Sequence, residues 1–236
     1  MGGATVSIIS EWNSKQKHLK EMIRKSEKFD ESKKFFLSMH GSVHFAEVSN
    51  AKEPTIMDGL CDELKKKDYT IMPTGKDVTI AWNIWHITRI EDLTINILVN
   101  YSKQVLSSDW LTRLKIDVTD TGNAMTDDEI MDFSKRINIE ELLKYRIAVG
   151  RQTQKILSCL KYEDMKRKIE RKDTEKILND GGVLNNSDSI WLLDFWGKKD
   201  VAGIILMPIT RHQIVHLNDC FNLKQKIDKK KTFYKV

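Results

Sequence analysis

The sequence predicts an all-α fold, a four-helix bundle with one long crossover connection and extra short helices. Only 3 Pro and 11 Gly occur in 236 residues, whereas sheet-rich folds need many tight turns. Apolar residues recur every three or four positions over four long segments, which is typical of amphipathic helices. The hydrophobic content of 40% is enough for a sizeable core. We therefore expect one domain over residues 1–236, ending in a Lys-rich tail from about residue 224 to 236.

Charge and cysteine content exclude several classes of protein. The formal net charge of +5 is mild, and we expect the Lys-rich tail to be a solvated, frayed terminus rather than a nucleic-acid patch. Cys61, Cys159 and Cys220 are odd in number and far apart, as in proteins of a reducing cytoplasm. Neither a signal-peptide core nor a membrane span is expected. The sequence thus predicts a soluble, cytoplasmic protein.

The first long helix is predicted over Glu11–Val48, where Lys and Glu fill the face opposite the apolar residues. It carries His40 and His44 one turn apart. The chain leaves helical geometry before Pro54, because proline disfavours that geometry at the preceding residue. A short helix over Thr55–Lys66 follows.

The second long helix begins near Asp77 or Thr79, either of which can serve as its N-cap, and extends to about Leu106. His86 lies on the apolar face of this helix and is therefore expected to point toward the core. A long connection, Ser107–Thr126, leads to the next elements.

A capping box at Thr126–Glu129 predicts a short helix over Asp127–Lys135. The third long helix is expected over Ile139–Leu160. The charged segment Lys161–Ser189 follows, and its Gly181-Gly182 pair indicates a break between elements.

The fourth long helix is predicted over Val201–Leu223, with Asp200 as its cap. Pro208 lies inside it, so we expect a kink there. His212 and His216 lie one turn apart on its otherwise apolar face. A buried imidazole needs partners for two ring nitrogens. A divalent cation is one such partner, and hydrogen bonds at a helix seam are the alternative.

Packing of the second helix against the fourth can bring His86 level with His212 and His216, because ligand sites in such bundles are built from facing helices. Two motifs then resemble the DinB-like superfamily of metal-binding four-helix bundles: WNIWHITRIED at Trp82–Asp92 and TRHQIVHLND at Thr210–Asp219. The resemblance covers most of the chain. It implies that these three histidines are ligands of a divalent metal such as Zn, Ni, Fe or Mn.

Members of that family include thiol-dependent isomerases and S-transferases that use small cytosolic thiols. The resemblance therefore implies a metal-dependent enzyme on a small-molecule substrate, with a low-molecular-weight thiol as the leading class and transferase-like or hydrolase-like chemistry. Three imidazoles leave coordination positions for water or substrate, and they do not select among these metals. The alternative is a non-catalytic metal-binding protein of a stress response. A homodimer stays open, and neither membrane nor nucleic acid is expected as a partner.

Other residues compete for the metal shell. For His40 and His44 we favour hydrogen bonds at a helix seam over direct ligation or orientation of a ligand. Cys220 is expected to be a buried small hydrophobe rather than a ligand.

Several charged or polar residues are assigned to solvated faces. Glu91 and Asp92 are expected on the exposed face of the second helix or paired with Arg89, rather than orienting a metal-binding histidine. Tyr145, Arg146 and Arg151 are expected on a solvated face of the third helix, and contact with an anionic substrate group is the alternative. The long segments 107–138 and 161–199 exceed a minimal bundle, and a lid, a dimer surface and plain packing stay open for them.

Overall fold

The computed structural model describes residues 8–229 together with Phe233 and Tyr234. Within these residues the fold is all-α and contains no β-strand, which confirms the predicted fold class. The α-helices are α1 (Ile8–Met22), α2 (Phe29–Ser42), α3 (Ala46–Ser49), α4 (Ile56–Glu63), α5 (Ile80–Leu93), α6 (Ser108–Leu114), α7 (Asp127–Arg136), α8 (Ile139–Cys159), α9 (Arg171–Asn179), α10 (Ser187–Gly197), α11 (Val201–Ile204) and α12 (His212–Lys229). A π-helical segment, Thr94–Val99, continues α5, and a second, Ile205–Arg211, joins α11 to α12.

Helix α5 is the centre of the bundle. It packs against both α8 and α12, while α2 packs against α8 and α1 against α12. Every residue of α5 is buried, so this helix has no solvent face. The predicted exposed face for Glu91 and Asp92 is therefore wrong. Apolar residues on all sides of a helix indicate complete burial, and α5 combines them with several buried polar groups.

The single first helix predicted over Glu11–Val48 is also wrong. Helix α1 ends at Met22, the backbone is extended at Lys25 (φ −101°, ψ 124°), and α2 begins at Phe29 after one 3-10 turn. No Gly or Pro lies at this break. Tertiary packing explains it, because α1 packs on α12 whereas α2 packs mainly on α8. Local helix propensity does not encode that division.

The second and third helices begin where the sequence predicts, but the second ends earlier than predicted. The Thr79 side chain accepts a hydrogen bond from the N–H of Trp82 and so caps α5. The helical path ends at Val99 rather than at Leu106, and Tyr101 then adopts a left-handed backbone (φ 53°). The predicted capping box opens α7 as expected. The third helix ends one residue before Leu160.

The fourth helix keeps its predicted start and extends beyond its predicted end. Asp200 accepts a hydrogen bond from the N–H of Gly203 at 2.8 Å and caps α11. Around Pro208 the chain widens into π geometry. Helix α12 continues to Lys229, so the prediction of a frayed tail is wrong for residues 224–229; Lys224 is buried and pairs with Asp228. The rest of the predicted tail, apart from the two described residues near its end, lies outside the described chain.

The two long insertions are mostly helical. Segment 107–138 contains α6 and α7, and segment 161–199 contains α9 and α10. Helix α10 packs against α9, which in turn contacts the first π-helical segment. None of the helices in the described residues is both long enough and apolar enough to cross a membrane.

Candidate metal centre

The structure brings together the three histidines that the sequence singles out. One nitrogen from each of His86, His212 and His216 lies within 4.8 Å of the others. The Nε2 atoms of His86 and His212 are 3.2 Å apart. Two ligand nitrogens bound tetrahedrally to one zinc ion, at the usual bond length, would be separated by about 3.3 Å. The spacing therefore suits a shared cation.

Two of the three rings are held by hydrogen bonds on their outer nitrogens. His86 Nδ1 lies 2.8 Å from the carbonyl oxygen of Thr121, and His216 Nδ1 lies 2.8 Å from Asn83 Oδ1. A carbonyl oxygen only accepts, so each Nδ1 carries the proton and donates it. Each Nε2 then keeps its lone pair, which is the arrangement that protein partners impose on metal-binding histidines. Sequence reasoning missed Asn83 and Thr121.

All three imidazoles are neutral at neutral pH. Burial lowers the pKa of His86 to about 4 and that of His216 to about 3, and it lowers the pKa of His212 well below its ordinary value. Neutral imidazole is the form that binds a metal. His212 Nδ1 is buried and has no hydrogen-bond partner within the described residues. His212 Nε2 faces the lone pair of His86 Nε2 at 3.2 Å. Either a proton carried by His212 or a shared cation must therefore lie between these two nitrogens.

The three imidazoles also border a cavity of about 440 Å³. Its other walls come mainly from α10 and from the π-helical segment before α12. A small molecule in this cavity reaches the imidazoles directly. The site therefore combines a candidate cation position with room for a ligand.

A second group that could hold a cation combines His40 on α2, His44 in the turn after α2 and Glu91 on α5, and it is completely buried. His40 Nε2 lies 2.8 Å from Glu91 Oε1, and His44 Nε2 lies 2.9 Å from Glu91 Oε2. The Gln154 amide donates to His40 Nδ1 at 2.8 Å. His40 must therefore carry its proton on Nε2 and donate it to the carboxylate. We call these three residues, His40, His44 and Glu91, the Glu91 cluster.

Charge makes the Glu91 cluster the weaker candidate for a metal. Burial raises the pKa of Glu91, but the two imidazoles outweigh it and hold that pKa well below its ordinary value. The buried guanidinium of Arg146 balances the carboxylate electrostatically. A divalent cation would add two charges to a closed site, which is costly. His40 and His44 thus form hydrogen bonds at a helix seam, the role that the sequence favours for them.

The structure confirms the buried position predicted for Cys220 and contradicts the solvated position predicted for Arg146. Cys220 is fully buried, burial raises the pKa of its thiol, and neither candidate group in the described residues includes it. The prediction of a solvated Arg146 is wrong. Its guanidinium donates to the Val43 carbonyl at 2.8 Å and to Gln213 Oε1 at 3.1 Å. Arg151 is exposed and pairs with Glu47.

The solvated position predicted for Tyr145 is wrong as well, and the exposed alternative for Asp92 fails for the same reason. The Tyr145 hydroxyl donates to Asp92 Oδ2 at 2.6 Å, and the Arg89 guanidinium donates to the same oxygen at 3.0 Å. The backbone N–H of Leu106 also donates to Asp92. The pairing of Asp92 with Arg89, which the sequence allows, is present, but it is buried.

Fold and site together define an all-helical bundle with a three-histidine candidate metal centre. The family model of the DinB superfamily matches residues 51–219, which is more than half of the chain. The chain belongs to the DinB superfamily. This confirms the resemblance seen in the two sequence motifs.

One solved structure supports the fold. It is the crystal structure of "the conserved protein of locus from Enterococcus faecalis", with a TM-score of 0.57 and 17% sequence identity. The match covers 84% of this chain and 97% of that one. At such low identity the likeness concerns the fold alone. No curated protein matches the chain.

Proposed function

We propose that this protein is a divalent-metal-dependent enzyme acting on a small molecule, with the metal held by His86, His212 and His216. The observation that carries the proposal is the shared orientation of two rings. His86 and His216 each donate Nδ1–H to a carbonyl oxygen, so their Nε2 lone pairs are available beside His212. Zn, Ni, Fe and Mn all suit such nitrogen ligands to differing degrees.

The bound cation would lower the pKa of a water or thiol and provide hydroxide or thiolate at neutral pH. The protein's own groups prepare the site for this chemistry. Thr121 and Asn83 fix two imidazoles, and the indole of Trp82 stacks on His86 with ring centroids 4.7 Å apart and an interplanar angle of 9°. The adjoining cavity of about 440 Å³ provides room for a substrate beside the imidazoles. These features would support transferase-like chemistry with a small thiol, the class that the family resemblance implies, or hydrolase-like chemistry with water.

Metal binding is tested first with untagged protein, because a His tag would add its own ligands. Metal-free protein is titrated with Co²⁺, and bound metal is measured by elemental analysis and by cobalt absorption. We expect one equivalent for the native chain and none for the His212→Ala/His216→Ala double variant. His18→Ala is the control, since His18 is exposed, and it should bind one equivalent. Unchanged metal content in the double variant would contradict the proposal.

Catalysis is tested second, with small thiols and a panel of electrophiles. Turnover that needs both metal and thiol supports the transferase assignment, whereas metal-dependent turnover without thiol supports the hydrolase. If neither reaction occurs and no thiol alters the cobalt spectrum, the protein is a non-catalytic metal-binding member of the family.

A further inference from the structure

The walls of the cavity beside the three histidines are almost entirely apolar. Eight of its lining residues are apolar and come from three different parts of the chain, among them Trp82, Trp191, Leu192, Phe195, Trp196 and Met207. Apart from the histidines, Asn123 is the polar side chain among the described lining residues, and none of these is Lys, Arg, Asp or Glu.

In two of the indoles of this wall, the N–H group already donates a hydrogen bond to a backbone carbonyl. Trp82 Nε1 donates to the Gly122 carbonyl at 3.2 Å, and Trp191 Nε1 donates to the Asp188 carbonyl at 3.1 Å. They therefore offer only ring faces and edges to a ligand. Such surfaces bind flat aromatic groups well. The volume of about 440 Å³ falls within the usual range for small-molecule pockets.

Helix α10 provides four of the wall residues, and it belongs to the insertion 161–199. Leu192 and Trp196 are buried and anchor the helix, whereas Trp191 is 48% exposed at its outer side. Trp191 and Phe195 contact each other with ring centroids 6.0 Å apart. An exposed tryptophan beside a cavity is free to pack on an incoming ligand. Through α10, the insertion 161–199 therefore forms part of the pocket wall.

We propose that the cavity binds an uncharged, aromatic small molecule, and that α10 is the element that selects it. This inference rests on the proposed function, since the ligand's reactive atom would lie at the histidine end of the cavity. A carboxylate at the end of the ligand away from the metal would lose water without gaining a cationic side chain, which disfavours its burial. Peptide-like thiols with several carboxylates are therefore poor ligands for this cavity, and a neutral aryl thiol or aryl electrophile fits it.

The test uses two probes that differ by one charge. Cobalt-loaded protein is titrated with benzyl mercaptan and with 4-(mercaptomethyl)benzoate, and binding is read from sulfur-to-cobalt absorption and from quenching of tryptophan fluorescence. We expect the neutral probe to bind at least about tenfold more tightly, because its analogue must bury an unpaired carboxylate. Equal or tighter binding of the carboxylate would overturn the inference and leave the metal proposal standing.

Variants of α10 locate the binding. Trp191→Ala should weaken benzyl mercaptan on the order of tenfold through lost ring contact, with cobalt stoichiometry unchanged. Trp191→Lys should reverse the preference, because it supplies the missing cation. Tyr101→Ala is the matched control, since Tyr101 is also exposed but does not line this cavity. If neither substitution of Trp191 changes binding of either probe, α10 does not select the ligand.

Metal-free protein separates the two proposals. Benzyl methyl sulfide, which is uncharged and aromatic, is titrated by calorimetry against metal-free native protein and the Trp191→Ala variant. If the protein takes up no metal but binds this probe in a Trp191-dependent way, the proposed function fails and the pocket assignment stands. Absence of binding to both metal-free and cobalt-loaded protein would overturn the pocket assignment.

Discussion

Replacing Glu91 by Gln removes one buried negative charge and preserves the size of the side chain. The Glu91 carboxylate accepts hydrogen bonds from His40 at 2.8 Å and from His44 at 2.9 Å, and all three side chains are fully buried. A hydrogen bond to a charged group contributes roughly 1.5–3 kcal/mol. Glutamine can accept one of the two bonds, whereas its amide can donate to His44 only if that ring moves its proton to Nδ1, which has no partner among the described residues.

The same substitution removes a carboxylate whose charge acts through space on the buried guanidinium of Arg146. The two side chains form no ion pair among the described residues, so the lost hydrogen bond sets the scale of the effect. We expect the free energy of unfolding of Glu91→Gln to fall by about 1.5–3 kcal/mol, a sizeable fraction of the stability of an ordinary domain.

Urea unfolding of metal-free protein, followed by circular dichroism, measures this change. Glu47→Gln is the matched control, because Glu47 pairs with Arg151 at the exposed surface and such pairs contribute less than about 1 kcal/mol. A cost for Glu91→Gln no greater than that of Glu47→Gln would refute the reasoning. In the cobalt titration, two equivalents for the native chain and one for Glu91→Gln would assign an ion to the Glu91 cluster.

The pH dependence of stability gives an independent check. The native pKa of Glu91 lies well below its ordinary value, and that of His44 is lowered to about 3. As the pH falls, the unfolded chain therefore binds protons at these groups before the native chain does. Stability is fully present near neutral pH and falls as the pH passes below about 6.5 for His44 and about 4.3 for Glu91. The Glu91→Gln variant should lose less stability below about pH 4.3 than the native chain does.

Three further substitutions test individual contacts. Asn83→Ala removes the acceptor of His216 Nδ1–H, so metal affinity should fall by about 10–100-fold with stoichiometry kept; an unchanged dissociation constant would contradict this. Gly150→Ala places a Cβ 2.5 Å from His44 Nδ1 and should cost about 1–3 kcal/mol in urea unfolding. Asp200→Ala removes the N-cap of α11 and should lower stability by about 1–2 kcal/mol, whereas a loss below a few tenths would show that the cap is dispensable.

Much of the fold follows from local sequence signals. Helix starts at Thr79, Thr126 and Asp200 are marked by capping residues, whose side chains bond the first turn in a way that depends on a few neighbours only. The meeting of the three histidines also follows from the sequence, since each lies on an apolar face. What failed was the division of the first helix, because it depends on which neighbours α1 and α2 cover.

The buried polar groups were the hardest part of the site to predict. Glu91, Arg146 and Tyr145 carry charged or hydroxyl groups, and residue type alone places such groups at the surface. Their burial depends on partners far along the chain, such as the Val43 carbonyl that accepts from Arg146. The backbone carbonyl of Thr121 is likewise invisible to sequence reasoning, because any residue at that position supplies the same oxygen.

The π-helical segment Ile205–Arg211 sets the rotational phase of everything that follows it. An α-helical residue turns the chain by about 100°, whereas a π-helical residue, with its i→i+5 bonds, turns it by roughly 80°. Over the seven residues of this segment the difference adds up to about a third of a circle. If the segment closed into regular α-helix at the same length, both imidazoles of α12 would leave the centre together, while the hydrophobic content of the helix would hardly change.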